Sequence, residues 1–146
     1  MDWAQTLPMA AAALLTPIVI YLWGRAFPPS PASLGERLEA LKARNGWVDG
    51  VATLFMFAGL AAPFVYFGRD VNSVGLPIVG LMFGLMVIFH FLWVCIATLP
   101  FGVERFREFW RFYELRWGIG VKGIQFVYIP IAMLGVISGA YIWAGR

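Results

Sequence analysis

Four long runs of the chain carry almost no charge, and that feature decides which solvent the chain can fold in. They cover residues 7–24, 47–67, 76–99 and 121–144. A hydrocarbon core about 30 Å thick takes roughly 20 residues of helix, so the first run is slightly short and the others are long enough. Inside hydrocarbon a backbone amide has no water to bond, and each run must close its own hydrogen bonds as a helix. The expected fold is an all-α membrane protein, a four-transmembrane-helix bundle forming a single integral membrane domain over residues 1–146. Composition agrees: the chain is 61% hydrophobic and 13% charged, against roughly 45–50% and about 25% in soluble domains. Too few polar residues remain to coat a soluble globule. The chain starts MDWAQT, with an acid where a secretory signal wants a basic residue, and the run that follows outlasts a signal core. It reads as a retained span.

The linkers differ in charge. The first holds Arg25, Arg37, Lys42 and Arg44; the third holds Arg105, Arg107, Arg111 and Arg116, with Lys122 just beyond. The second holds Arg69, offset by Asp70, and the C-terminal tail holds Arg146. With four spans, linkers one and three share a side, which then carries nine of the 11 basic residues. Lys and Arg concentrate on the cytoplasmic side of membrane proteins. The expected location is a bacterial inner membrane with both termini periplasmic. Trp3 and Trp143 mark the outer boundary and Trp23, Trp47 and Trp117 the inner one, because indole favours the headgroup layer. The basic balance follows membrane topology, and no nucleic-acid partner is expected.

Two linker segments predict helices beside the membrane. In the third linker, Val103, Phe106, Trp110, Tyr113 and Trp117 recur at spacings of three and four, widened by Phe109, with Glu104, Arg107, Glu108, Arg111 and Glu114 opposite. That pattern predicts an amphipathic helix over 103–117, with arginines toward anionic headgroups and aromatics toward lipid or the span ends. Its lipid-interface residues are Arg105, Phe106, Arg107, Trp110, Arg111, Tyr113, Arg116 and Trp117. In the first linker, Pro28, Pro29 and Pro31 stop the preceding span, and Ser33 stands at capping-box spacing from Glu36. Leu34, Leu38 and Leu41 then form a narrow stripe that Gly46 can end, a second such helix over 33–45. Each half reads span, basic helix, span, with ValAspGlyVal at 48–51 facing ValLysGlyIle at 121–124. A parallel repeat and chance similarity both remain open.

Few residues suggest chemistry. His90 is the one ionisable group deep in a span, and such a group is a candidate site. It could ligate a haem iron or cofactor magnesium, or relay a proton. The expected role is structural, a neutral ring bonded to a neighbouring helix, because no carboxylate shares its depth; no cofactor or metal is expected. Cys95 is alone, so it makes no internal disulfide and reads as a small core residue. Asp49 and Lys122 stand at the inner starts of spans two and four and form a possible ion pair. Gly80 with Gly84 and Gly135 with Gly139 are GxxxG pairs suited to close helix packing. Pro17, Pro63 and Pro130 fall inside spans, as is ordinary in membrane bundles.

No GxSxG, HExxH, P-loop or dinucleotide motif occurs in its required context, and nothing places a nucleophile beside a base. The expected function is therefore that of a non-catalytic accessory, assembly or scaffold subunit of a membrane complex. Its partners would be anionic lipid and either other membrane subunits or further copies of itself. The alternative is a small homo-oligomeric channel or transporter for a neutral or lipid-like substrate.

Overall fold

A computed structural model describes residues 3–31, 37–68 and 74–145, with side chains from residue 11 onward apart from 12 and 13. Its helices are α1 (Trp3–Ala26), α2 (Leu38–Phe67), α3 (Leu76–Thr98), α4 (Val103–Trp117) and α5 (Val121–Ala144), with a 3-10 turn, Leu99–Phe101, between α3 and α4. Three helical stretches are long and apolar enough to cross a membrane: α2, α3 with its 3-10 turn, and α5. The chain is thus an integral membrane protein. In α1, the described apolar stretch is Leu14–Ala26.

The apolar surface has the distribution that lipid, rather than water, would stabilise. Leu14, Leu15, Ile18, Val19 and Leu22 of α1 are exposed, as are Phe126, Met133, Val136 and Ile137 of α5. The described core is small and lies toward one end, where Leu41, Val48 and Ala52 of α2, Val94 and Ala97 of α3, Phe109 and Phe112 of α4, and Ile124 of α5 meet.

Helix α3 is central, packed on α2 along one side and on α5 along the other. Glycines set both spacings. A Cβ on Gly59 of α2 would lie 2.6 Å from the Leu85 carbonyl carbon, and one on Gly84 would strike the backbone of Gly135. Gly80 faces Ser138 and Leu134, while Gly139 touches the Leu81 side chain. Close approach lets the helices gain dispersion contacts, which must drive association where lipid offers no hydrophobic contrast.

Helix α2 runs unbroken through Gly46, where the sequence suggests a stop between a surface helix and a span. Leu41, Asn45, Val48, Asp49 and Ala52 form one buried stripe across that position. Gly in a helix interior costs about 1 kcal/mol relative to Ala, while burying one large aliphatic side chain yields about 1.5–3 kcal/mol. The stripe outweighs the glycine. The Ser33–Glu36 cap and Leu34 lie outside the described residues, as do Arg69, Asp70 and Arg146. The continuity of α2 leaves the two halves less alike than their sequence pattern suggests.

Helix α1 meets the rest chiefly through its last turn. The Trp23 indole N–H donates to the Gly123 carbonyl (3.1 Å), and Phe27 packs on Phe126. Just beyond α1, the Gly120 N–H donates to the Phe27 carbonyl (2.6 Å). Pro17, Pro63 and Pro130 all lie within helices.

Candidate functional site

Helix α4 closes one end of the bundle against α2, α3 and α5. Its buried face is turned from the stripe suggested by sequence spacing toward Phe109, Phe112 and Tyr113. Phe109 is fully buried, whereas Val103 and Trp117, at the ends of the expected stripe, are 57% and 47% exposed. Phe106 and Trp110 are half-buried and meet Phe91 of α3. The aromatic side of α4 therefore contacts protein over most of its length. Spacing alone weights every aromatic equally and cannot tell a lipid face from a helix face.

Its polar groups are bolts. The Glu108 Oε1 atom accepts from Arg44 Nε (2.8 Å), Asn45 Nδ2 (3.1 Å) and Arg105 Nη1 (2.7 Å), and Arg105 also donates to the Arg44 carbonyl (2.6 Å). Burial pushes the Glu108 carboxyl up, but the bonds from Arg44 and Asn45 and the charges of Arg44 and Arg105 prevail and hold it below the usual range. Glu114, expected on the solvent face, is 4% exposed. It accepts from the Val121 backbone N–H (2.8 Å) and the Ser30 hydroxyl (3.0 Å). A carboxylate is favourable there because the first N–H groups of a helix lack internal partners and carry positive partial charge. Arg107 pairs with Glu104 in the open, and Arg111 is half-buried. The bonds of Arg44 and Ser30 to α4, and of Arg105 to the Arg44 carbonyl, bring linkers one and three together at this end.

Beneath α4, four helices supply one hydrogen-bonded chain. Tyr113 Oη–H donates to Asp49 Oδ1 (3.0 Å), so its oxygen accepts from His90 Nε2–H (2.8 Å). That tautomer leaves His90 Nδ1 as an acceptor for Tyr128 Oη–H (3.3 Å). Arg116 closes the far end by pairing with Asp49 Oδ2. Its guanidinium also stands over the Phe112 and Trp117 rings. Every proton in the chain points one way, from Tyr128 toward the carboxylate. Burial holds the Tyr113 phenol well above its ordinary pKa, with Tyr128 and Asp49 adding to the effect. Tyr113 thus stays a neutral donor.

Asp49 takes Arg116 as its cation rather than Lys122, because α3 lies between α2 and α5 while α4 reaches both ends of the chain. Lys122 is exposed. His90 has no carboxylate beside it, yet Tyr113 relays it to one. Sequence reasoning missed Tyr128, Asn45 and the inward roles of Glu108 and Glu114. Their signals were an asparagine within an apolar stripe and a tyrosine two turns from a span start, both too common to single out. His90 uses both ring nitrogens, so axial ligation of a cofactor would break one of these bonds. Cys95 is half-buried on α3. Among the described residues no three His, Cys, Asp or Glu side chains gather as a metal site.

A groove of about 1350 Å³ opens beside this chain, between α3, α4, α5 and the segment after α1. Tyr128 belongs to both the groove and the chain. The groove is apolar along Val87, Phe91, Leu92, Ile129 and Ala132, and polar at the end bearing Arg107, Arg111 and Lys122.

These features define an integral membrane protein with a bolted polar end and a side groove. No protein-family model, curated protein or solved structure matches the chain.

Proposed function

We propose that this is a four-span membrane protein, with both termini periplasmic in a bacterial inner membrane, that acts by contact as an accessory, assembly or scaffold subunit. The fourth span is α1: its 24 residues would rise about 36 Å at 1.5 Å each, enough to cross the hydrocarbon. One observation carries the non-catalytic reading. The acids and the buried histidine near α4 hold helices together: Asp49, Glu108 and Glu114 each bridge α4 to another segment, and His90 binds two tyrosines. A catalytic acid or base needs a reachable substrate proton, and each of these groups is already engaged by a donor or acceptor of the protein.

The groove favours a second reading, passage of a lipid-like substrate. Purification in mild detergent from the native membrane separates the two. Other membrane subunits in fixed stoichiometry support the accessory role. A homo-oligomer that transfers labelled lipid between leaflets of proteoliposomes would replace it with transport.

A further inference from the structure

The geometry points to a binding site in the side groove for one anionic phospholipid of the leaflet facing the basic linkers. The groove has the layout of that molecule. Its walls are hydrocarbon, from Phe91 and Leu92 on α3 and Ile129 and Ala132 on α5, and its charged groups are confined to one end. At about 1350 Å³ it exceeds the roughly 300–1,000 Å³ of ordinary small-molecule pockets.

Its depth selects a single leaflet. From Lys122 to Ala132 a helix rises about 15 Å, half of a hydrocarbon core about 30 Å thick. The deepest lining residues, Val87 and Ala132, stand three positions from Gly84 and Gly135, where α3 and α5 touch. That crossing floors the groove at mid-membrane. A partner's transmembrane helix needs a channel through both leaflets, whereas acyl chains need one.

The charged end selects the headgroup. Both acids on its rim are already engaged, Glu104 by Arg107 and Glu114 by the Val121 N–H and Ser30. Lys122 has no carboxylate partner among the described residues. It stands at the start of α5, with Arg107 and Arg111 also on the rim. A phosphate there would meet Lys122, while the acyl chains lie against Ile129 and Phe91.

The test is retention of lipid by the full chain. Protein is reconstituted in nanodiscs of phosphatidylcholine and phosphatidylglycerol, extracted in mild detergent, washed and weighed by native mass spectrometry. One phosphatidylglycerol per chain is expected on the unaltered protein. Ala132→Phe fills the deep end and should reduce retention at least tenfold. Lys122→Gln should keep a lipid but lower the preference for phosphatidylglycerol about fivefold, the equivalent of the ~1 kcal/mol that one basic side chain contributes near an anionic surface. Circular dichroism checks both folds, and if Ala132→Phe fails to fold, the exposed Lys122→Gln decides. Equal retention of both lipids by the unaltered protein overturns the proposal, as does an unchanged preference in Lys122→Gln. Cross-linking of Ile129→Cys (in Cys95→Ala) to a second protein chain would overturn it too, giving the groove to a helix.

Discussion

Tyr113→Phe tests the polar chain most directly, because it removes one oxygen and leaves the ring packing in place. That oxygen donates to the Asp49 carboxylate at 3.0 Å and accepts from His90 at 2.8 Å. A hydrogen bond to a charged group is worth about 1.5–3 kcal/mol, and a buried donor left without an acceptor costs about 1–3 kcal/mol. The two losses do not simply add. His90 can shift its proton to Nδ1 and donate to Tyr128 instead, while Asp49 keeps Arg116. The expected loss is therefore about 2 kcal/mol, below the roughly 2.5–6 kcal/mol that the two terms would give if they added. A double-mutant cycle with Asp49→Ala isolates the bond, read by denaturant unfolding in mixed micelles. Bonds between membrane helices average about 0.6 kcal/mol in such cycles and reach about 1.7. A charged acceptor should place this one near the top, at about 1.5 kcal/mol. Coupling below about 0.3 kcal/mol, the level at which separate sites simply add, would refute a working bond between α4 and α2.

The other expectations are simpler. In a Cys95→Ala background, membrane-impermeant thiol reagent added to intact cells should modify Ser73→Cys and leave Ser33→Cys untouched; labelling of the Ser33 variant alone reverses the orientation. Gly84→Leu should separate α3 from α5 and lower stability by more than the 1–3 kcal/mol typical of overpacking, since its side chain meets backbone that cannot rotate away; a melting curve matching the unaltered protein would deny that close crossing. Glu108 has a folded pKa below its ordinary 4.5, so its contribution is fully present above that value and is lost as pH falls through the lower folded value. Stability should therefore drop on acidification below about pH 5, with a shallower slope in Glu108→Gln; identical slopes would show that Glu108 does not supply the effect.

His90 was legible as a candidate because an ionisable side chain in a long apolar run is conspicuous in any alphabet. The glycine pairs were legible as spacings, and Gly84 and Gly135 do meet. Asp49 was visible as an acid at a span start, but its partner was not, since Arg116 and Lys122 lie close together in the chain and on different helices. The inward turn of Tyr113 was invisible for a related reason. An aromatic stripe satisfies lipid and protein equally well, and only the position of α2 and α3 decides which covers it.

The sequence by itself determined the solvent, the length of each apolar stretch and the segregation of basic residues, because transfer energies and helix rise depend on residue type and count. Tertiary structure alone decided that α2 runs through Gly46, that Glu114 caps α5, and that Tyr128, His90, Tyr113 and Asp49 form one directed chain. Those outcomes depend on packing between residues far apart in the chain. A hydrogen bond exists only when donor and acceptor come within about 3 Å, a condition that helix crossings set and local spacing does not.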